Sequence, residues 1–344
     1  MHPATFTVYK TVRFLPISLV LLLVAVFGFP NASPAQGRID AGGYQELLNE
    51  VRGGLFISSG RVLAGFDPDS VERVVGDFIA STPGARELKA AALLHTEATA
   101  HGHPETHLQM ARDLLKAIPD PVDREDWIRR WWLALCYSYQ VQLSVGPGVA
   151  AFERALEDLP DDRDVRRSFA AALWMFGKQR EEPTYLTRAG VMLQELLEET
   201  PDDPDLRIRF AGVLLDLGRA EDAAFVLDQL GDVRLRSGPR LASLLIRGEI
   251  ALGAGEFVAA EVAFAEAVRR SRRSPAAVAG LVAARLSQGD AEAAAEAAGA
   301  LLARTTTGWE PEWRYWLGPA LEYPGMFEAM KNEVREPAEE GGGR

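Results

Sequence analysis

The stretch WLALCYSYQVQLSVGPGVAAFERALEDLP, residues 132–160, decides the fold of this 344-residue chain. Its large and small residues recur at helical spacing on both sides of a glycine-containing turn, and a proline closes the stretch. The pattern is typical of a helical hairpin that stacks on copies of itself. The residues that set it are Trp132, Leu135, Cys136, Tyr139, Gly148, Phe152, Ala155 and Pro160.

Further copies of the hairpin follow in near-constant phase. Four glycines are predicted to lie in the turns between paired helices, namely Gly177, Gly218, Gly255 and Gly289. The last step between them has 34 residues, the middle step adds three residues within 231–239, and the first adds seven in a charged loop at 178–183. The motif Pro-Asp-Asp, at 160–162 and 201–203, ends one hairpin and caps the next helix. Because strand-like alternation is absent from the sequence, the predicted fold is all-α.

Over residues 129–304 the sequence resembles five tetratricopeptide (TPR) repeats, and residues 85–119 resemble a degenerate sixth. The resemblance implies a right-handed α-solenoid of stacked helical hairpins. Only the first repeat keeps the signature tryptophan, which Arg166, Arg207, Leu244 and Val278 replace in the others. The exact class of helical repeat therefore stays open at this point, while the solenoid architecture does not.

The resemblance also implies a concave groove lined by the first helix of each hairpin. The implied partner-binding residues are Arg130, Leu133, Tyr137, Gln140, Arg167, Trp174, Ile208, Leu215, Leu245, Glu249 and Leu252. A Lys/Asn clamp for a partner's terminal carboxylate is missing, since no asparagine lies in the array. The apolar positions favour an apolar or amphipathic segment of a partner protein as the ligand. Two alternatives stay open: a terminal helix of the chain itself packs there, or the side chains are buried between helices.

The ends of the chain differ from the repeats. Residues 1–35 are predicted to be a signal peptide, with basic Lys10 and Arg13, an apolar run at 14–29 and cleavage after Ala35. The alternative is an uncleaved anchor, which would be the chain's membrane contact. Cleavage predicts an exported protein, periplasmic or extracellular if the source is bacterial.

The remaining segments complete the predicted domain organisation. Residues 36–66 are a linker with a short helix, and 67–128 are N-terminal helices that include the degenerate repeat. Residues 305–336 are predicted capping helices, the first of which covers the last hairpin, and 337–344 a disordered tail.

Composition narrows the function. Asp and Glu outnumber Lys and Arg by 49 to 37, so the net charge of −12 argues against nucleic acid as a partner. The single Cys136 cannot form an internal disulfide and is expected to be a buried packing residue. No phosphate loop, nucleophile motif or catalytic triad pattern is present, so the expected protein is not an enzyme and needs no cofactor. The sequence predicts a scaffold that binds protein partners, with the cell envelope as its expected setting.

Two further hypotheses remain. Four of the five histidines fall within 13 residues, which suggests a metal-binding protein or a metal-dependent enzyme as the alternative function. They are His95, His101, His103 and His107. The spacing matches no established metal motif, and a solvated turn explains it equally well. The second hypothesis is a homo-oligomer in which aromatic stripes pair two copies of the chain.

Overall fold

The computed structural model describes residues 84–98, 104–231, 233–302, 315–318, 320 and 323–335, which form α-helices and turns and contain no strand. The helices are α1 (Ala85–Ala98), α2 (Pro104–Lys116), α3 (Pro121–Val141), α4 (Val145–Asp158), α5 (Arg163–Arg180), α6 (Pro183–Glu199), α7 (Pro204–Asp216), α8 (Ala220–Asp228), α9 (Ser237–Gly253), α10 (Phe257–Arg270), α11 (Pro275–Ser287), α12 (Ala291–Leu302) and α13 (Tyr323–Arg335). The predictions for residues 1–83 and 336–344 lie outside the described residues.

The described residues form two compact units, divided within α3 between Ser138 and Tyr139. The repeat unit holds residues 139–302 with 315–318 and 320. The terminal unit holds residues 84–98, 104–138 and 323–335. Each unit is described by itself below.

Neighbouring helices of the repeat unit pack as antiparallel pairs, α5 with α6, α7 with α8, α9 with α10 and α11 with α12. The first helices of successive pairs also contact each other, α5 with α7, α7 with α9 and α9 with α11, more extensively than the second helices do. The first helices therefore form one layer of the row, and we call the face of this layer the concave face. The predicted all-α stack of helical hairpins is confirmed.

Aspartate caps start α5 and α7 where the sequence predicted them, and a serine caps α11. The Asp162 carboxylate accepts a hydrogen bond from Val165 N at 2.9 Å at the start of α5, and Asp203 accepts from Asp205 N at 2.9 Å and Leu206 N at 3.2 Å at the start of α7. Ser274 does the same for α11 through Ala277 N. Each cap satisfies at least one amide that has no partner within the helix. The repeated Pro-Asp-Asp motif therefore marks the helix starts in structure as well as in sequence.

Three of the four predicted turn glycines lie in turns between paired helices. Gly218, Gly255 and Gly289 have φ of 79°, 79° and 85°, the left-handed region that glycine adopts without steric cost. Residues 229–236 connect α8 to α9, and they overlap the range 231–239 in which the sequence predicted three added residues.

The prediction for Gly177 is wrong, because this glycine lies inside α5 and the chain turns four residues later at Glu181 (φ 53°). The seven extra residues extend α5 and α6 to 18 and 17 residues and do not form a loop. A Cβ at Gly177 would lie 2.7 Å from Leu186 Cδ2. The glycine therefore serves the close approach of α5 and α6 and not the turn.

Within the terminal unit, the side chain of Glu333 joins α13 to α1 and α3. Its carboxylate accepts hydrogen bonds from Trp127 Nε1 at 2.7 Å, Arg130 Nη1 at 3.0 Å and Lys89 Nζ at 3.2 Å. Burial would raise the pKa of Glu333, but these three donors lower it below its usual value. The helix α13 is thus fixed against α1 and α3 by charge-assisted hydrogen bonds.

Six of the eight signature residues of the best-matched stretch are buried, whereas Tyr139 is half-buried and Pro160 is exposed. Trp132 is fully enclosed, and burial raises the pKa of the Cys136 thiol well above its usual value, which disfavours the reactive thiolate. Cys136 is the buried packing residue that the sequence predicted. None of the described helices combines the length and apolar character needed to cross a bilayer.

Candidate functional site

The predicted groove residues occupy the first helices, but about half of them are buried. Arg130, Arg167, Leu215, Glu249 and Leu252 are partly exposed. The buried ones are Leu133, Tyr137, Gln140, Trp174, Ile208 and Leu245. Arg130, Leu133 and Tyr137 lie in the terminal unit and the others in the repeat unit. The geometry of the repeat unit explains why two of the strongest apolar candidates, Trp174 and Ile208, are enclosed.

The chain's own segment 315–318 lies on the concave face of the repeat unit. Tyr315 belongs to a buried cluster that includes Ile208 of α7 and Ile246 of α9, and Trp316 packs against the same cluster. The sequence placed this segment over the last hairpin, whereas the described contacts of Tyr315 and Trp316 are with α5, α7 and α9. In this part of the predicted groove, residues of the chain itself therefore occupy the face, as one of the two alternatives proposed.

Arg209 of α7 anchors the segment through its main chain. Arg209 Nη2 donates to Tyr315 O at 2.8 Å, Nη1 lies 3.4 Å from Trp316 O, and the guanidinium carbon lies 4.4 Å from the centre of the Tyr315 ring. Arg209 Nε donates to Asp205 Oδ2 at 2.9 Å, and Arg167 of α5 donates to the same oxygen. Arg167 Nη1 also lies 3.8 Å from Asp203 Oδ2, so two carboxylates balance two arginines that would otherwise be desolvated charges.

The charges of this network are strongly stabilised. Burial would raise the pKa of Asp205, but Arg209 and Arg167 outweigh burial and lower it to about 2. Burial opposes the charge on Arg209, yet Tyr315 and Asp205 raise its pKa above its usual value. The pair stays ionised at any pH near neutrality.

A second cluster surrounds Trp174 of α5. Its indole Nε1 donates to Asp216 Oδ2 at 2.7 Å, and its ring meets Trp316 edge-on with centroids 6.1 Å apart. Lys178 Nζ lies 3.1 Å from Asp216 Oδ2 and 4.8 Å from the centre of the Trp316 ring. The Trp174 ring fits because α7 presents Gly212 to it, where a Cβ would lie 2.4 Å from ring atom Cζ2.

Exposed and partly exposed apolar residues lie further along the first helices, on α9 and α11. Four residues form what we call the open patch, and Leu286 is the most exposed of them at 54%. Helical spacing places the three α11 members on one face of that helix. The open patch consists of Leu252, Ala279, Ala283 and Leu286.

The site residues that the sequence prediction missed are Arg209, Lys178 and Tyr315. One signal for Arg209 was present, because it follows Asp205 at the i,i+4 spacing of a helical ion pair. The position of Tyr315 carried no such signal, since its segment lies outside the repeat phase. The sequence therefore predicted the positions of the groove residues, but not the segment that lies against them.

The sequence profile of the tetratricopeptide repeat family matches residues 186–246, which run from α6 through α9. This part of the chain carries tetratricopeptide repeats. The matched part includes the second half of one tetratricopeptide hairpin, all of α7 and α8, and the start of the next. It also includes Arg209 and Gly212 of the site. No curated protein sequence matches the chain.

Several solved structures resemble this one. The structure of pilF from Pseudomonas aeruginosa has a TM-score of 0.44 and 16% identity over 61% of this chain and 90% of that one. A tetratricopeptide repeat protein from Parabacteroides merdae gives 0.44 and 12% over 71% and 90%. Yeast Tom70 gives 0.33 and 15% over 89% and 66%. At these identities and TM-scores, no function is transferred from them.

Two of the four clustered histidines come together in the terminal unit. His95 of α1 and His107 of α2 are both buried, with their Nδ1 atoms 3.0 Å apart, so one ring donates to the other. His95 Nε2 is buried without a hydrogen-bond partner in the part of the chain that the structure describes. Within that part, no three His, Cys, Asp or Glu side chains are arranged to hold a metal ion. His101 and His103 lie outside it, so the metal alternative stays a hypothesis.

We expect the buried histidine pair to make the stability of the terminal unit depend on pH. Burial, followed by the charge of His107, lowers the pKa of His95 from 6.5 to about 3. Since the unfolded chain then binds more protons below pH 6.5, stability is fully present above that pH and is lost as pH falls toward 3. The expected loss between pH 7 and pH 5 is about 2 kcal/mol. Urea unfolding followed by Trp fluorescence at both pH values measures it.

The variant His95→Gln is the control for that loss, because it keeps a polar side chain near His107 without a group that titrates in this range. Its free energy of unfolding should fall by about 2 kcal/mol less than that of the parent over the same interval. Equal pH dependence in both proteins would show that His95 is not the responsible group.

Proposed function

We propose that this protein is an exported scaffold that holds an apolar or amphipathic segment of a partner protein on the concave face of its tetratricopeptide repeats. The observation that carries the proposal is the open patch. Its apolar side chains lie on α9 and α11, the first helices of two successive hairpins, which contact each other. The proposed role is binding without catalysis.

The open patch suits an apolar ligand for a physical reason. Ala279 and Ala283 leave a shallow channel along α11, because small side chains let another backbone approach closely. Leu252 of α9 and Leu286, further along the same face of α11, supply larger apolar surface. A helix that presents residues at i, i+3 and i+7 would bury its own apolar stripe against this channel.

Export and a role in cell-envelope assembly belong to the same proposal. Their support is the sequence of residues 1–35, with its basic start, apolar run and small residues before the expected cleavage point. Retention of the segment as a membrane anchor and pairing of two copies of the chain remain alternatives to be separated by experiment.

Site-specific photocrosslinking in the native host tests the scaffold function. A photoreactive phenylalanine at position 286 should form a covalent adduct with a partner protein, because this position lies in the open patch. The matched control is position 225, where Phe225 of α8 is similarly exposed at 67% but lies on a second helix. We expect no adduct there.

A charge in the open patch should abolish capture. The substitution Ala283→Glu is expected to lower the yield of the position-286 adduct about tenfold or more, since desolvating one unpaired carboxylate costs more than 1.4 kcal/mol. Equal adducts at 286 and 225, or capture that survives Ala283→Glu in a folded variant, would contradict the proposed groove. N-terminal sequencing of the same purified protein tests export, with Gln36 as the expected first residue.

A further inference from the structure

Segment 315–318 contacts the repeat unit in the way that a bound peptide would. Two of its polar contacts to α7 go through main-chain oxygens, those of Tyr315 and Trp316, which face the Arg209 guanidinium. The Tyr315 hydroxyl adds a third contact, to Asp205 O at 3.5 Å. Two rings lie against the first helices, one enclosed beside Ile208 and one against Trp174. Such a surface recognises a helical turn that carries two adjacent aromatic residues.

The cation of Lys178 adds a preference for aromatic character at the second position. Its ammonium lies 4.8 Å from the centre of the Trp316 ring and is held in place by Asp216. A cation over a ring face favours tryptophan over aliphatic side chains of similar size. The two positions of the bound turn are therefore distinguished: the first is an enclosed ring and the second a ring under a cation.

The charges of the site are neutralised without the segment. Asp205 and Arg209 form an i,i+4 pair within α7, and Arg167 of α5 lies beside both Asp205 and Asp203, so two carboxylates balance two arginines. The Trp174 indole and Lys178 are both satisfied by Asp216 of α7. Departure of residues 315–318 would uncover apolar surface and leave Arg209 short of two acceptors, but it would strand no unpaired charge.

We propose that residues 315–318 are an internal competitor, and that the site around Arg209 and Trp174 binds a partner segment bearing two adjacent aromatic residues when they leave. This inference rests on the proposed scaffold function and adds a second, occupied site to the open patch. The apparent affinity for the partner segment is then the intrinsic affinity multiplied by the fraction of molecules in which the site is empty.

A labelled peptide with the chain's own sequence 312–320, EWRYWLGPA, is the probe, and fluorescence anisotropy is the measurement. The full chain with Tyr315→Ala and Trp316→Ala should bind this peptide about tenfold or more tightly than the parent chain, because its internal competitor is weakened. A peptide with alanine at both aromatic positions should not bind. Circular dichroism establishes that the variant is folded, and Trp316→Ala alone replaces the double variant if it is not.

Substitution of a residue that contacts the Trp316 ring provides a second test of the proposal. In the chain with the weakened competitor, Lys178→Ala should reduce peptide affinity about fivefold, since it removes the cation over the ring. The matched change Arg219→Ala, at an exposed residue of the turn before α8, should leave affinity unchanged. Equal peptide affinity in parent and variant, or equal binding of the alanine peptide, would overturn the proposal.

The two proposals fail separately. Crosslinking at position 286 probes the open patch and does not depend on release of residues 315–318. Peptide binding without a partner adduct at 286 would contradict the scaffold function alone, whereas an adduct without peptide binding would contradict the internal competitor alone.

Discussion

Replacing Arg209 with methionine is expected to lower the free energy of unfolding of the repeat unit by about 3 kcal/mol. Methionine keeps the length of the side chain and removes its charge and all its donors. Asp205 is then left buried with Arg167 alone, and the main-chain oxygens of Tyr315 and Trp316 lose their donor. The cost falls at the low end of the range for broken buried ion pairs because Arg167 remains.

Urea unfolding followed by circular dichroism measures this loss, and the matched control is Arg219→Met. Arg219 also pairs with a nearby aspartate, since its Nε lies 2.7 Å from Asp222 Oδ2. The Arg219 side chain, however, is 58% exposed. Exposed pairs contribute about 0–1 kcal/mol, so the control should change little. Similar losses for both substitutions would mean that the burial of Arg209 does not set its contribution.

The same substitution should change the response to acid. In the parent, the pKa of Asp205 is about 2, below its unfolded value of 3.8. Its ion pair therefore contributes stability above pH 3.8 that is lost as pH falls toward 2. Without Arg209, burial acts with less opposition and raises the pKa of Asp205. The acid unfolding midpoint of Arg209→Met should accordingly lie at a higher pH than that of Arg219→Met.

The fold was predictable because the same constraint recurs in each hairpin. Gly218, Gly255 and Gly289 each close a turn at positive φ, and the caps at Asp162 and Asp203 start successive first helices. A repeated signal in constant phase outweighs the weakness of any single match. Gly177 was misplaced because a glycine can serve either a turn or a close helix contact, and its spacing alone does not distinguish the two.

The sequence predicted which residues lie on the first helices of the hairpins, but it did not predict which segment covers them. Trp174 and Ile208 lie on the first helices as the resemblance implied, yet they contact residues more than 100 positions later in the chain. Helical periodicity reports which face is apolar and carries no information about what covers it. Tyr315 and Trp316 belong to a segment without repeat phase, so only the structure could place them on α5, α7 and α9.

In the repeat unit, glycines lie where a large side chain packs against the backbone of a neighbouring helix. Trp174 packs on Gly212, and Phe264 of α10 packs between Gly248 of α9 and Gly280 of α11. A ring can fill the space between two hairpins only where the neighbouring backbones carry no Cβ.

Replacing Phe264 with alanine is expected to cost about 3–5 kcal/mol of stability in the repeat unit, the other large effect that we predict. Phe264 is 1% exposed and belongs to the buried cluster that joins α9, α10 and α11. Its removal leaves a cavity flanked by two glycines, which have no side chains that could move in to fill it. Thermal and urea unfolding of the full chain measure the loss.

A double-mutant cycle with Gly280 shows whether the ring and the glycine act together. A Cβ at Gly280 would lie 2.3 Å from Phe264 Cε1, so Gly280→Ala alone should destabilise by about 1–3 kcal/mol through overpacking. In the background Phe264→Ala the same methyl group enters the vacated space, and its cost should vanish or reverse. The expected coupling free energy is therefore at least about 1 kcal/mol.

The change Gly299→Ala is the control for the cycle, because it makes the same substitution within α12 at a position with no atom within 4 Å of the new Cβ. There, alanine should stabilise the helix by about 0.5–1 kcal/mol relative to glycine. Opposite signs at positions 280 and 299 would show that the contact with Phe264, and not helix propensity, requires glycine at 280. A stabilising Gly280→Ala would contradict the close packing of Phe264 between α9 and α11.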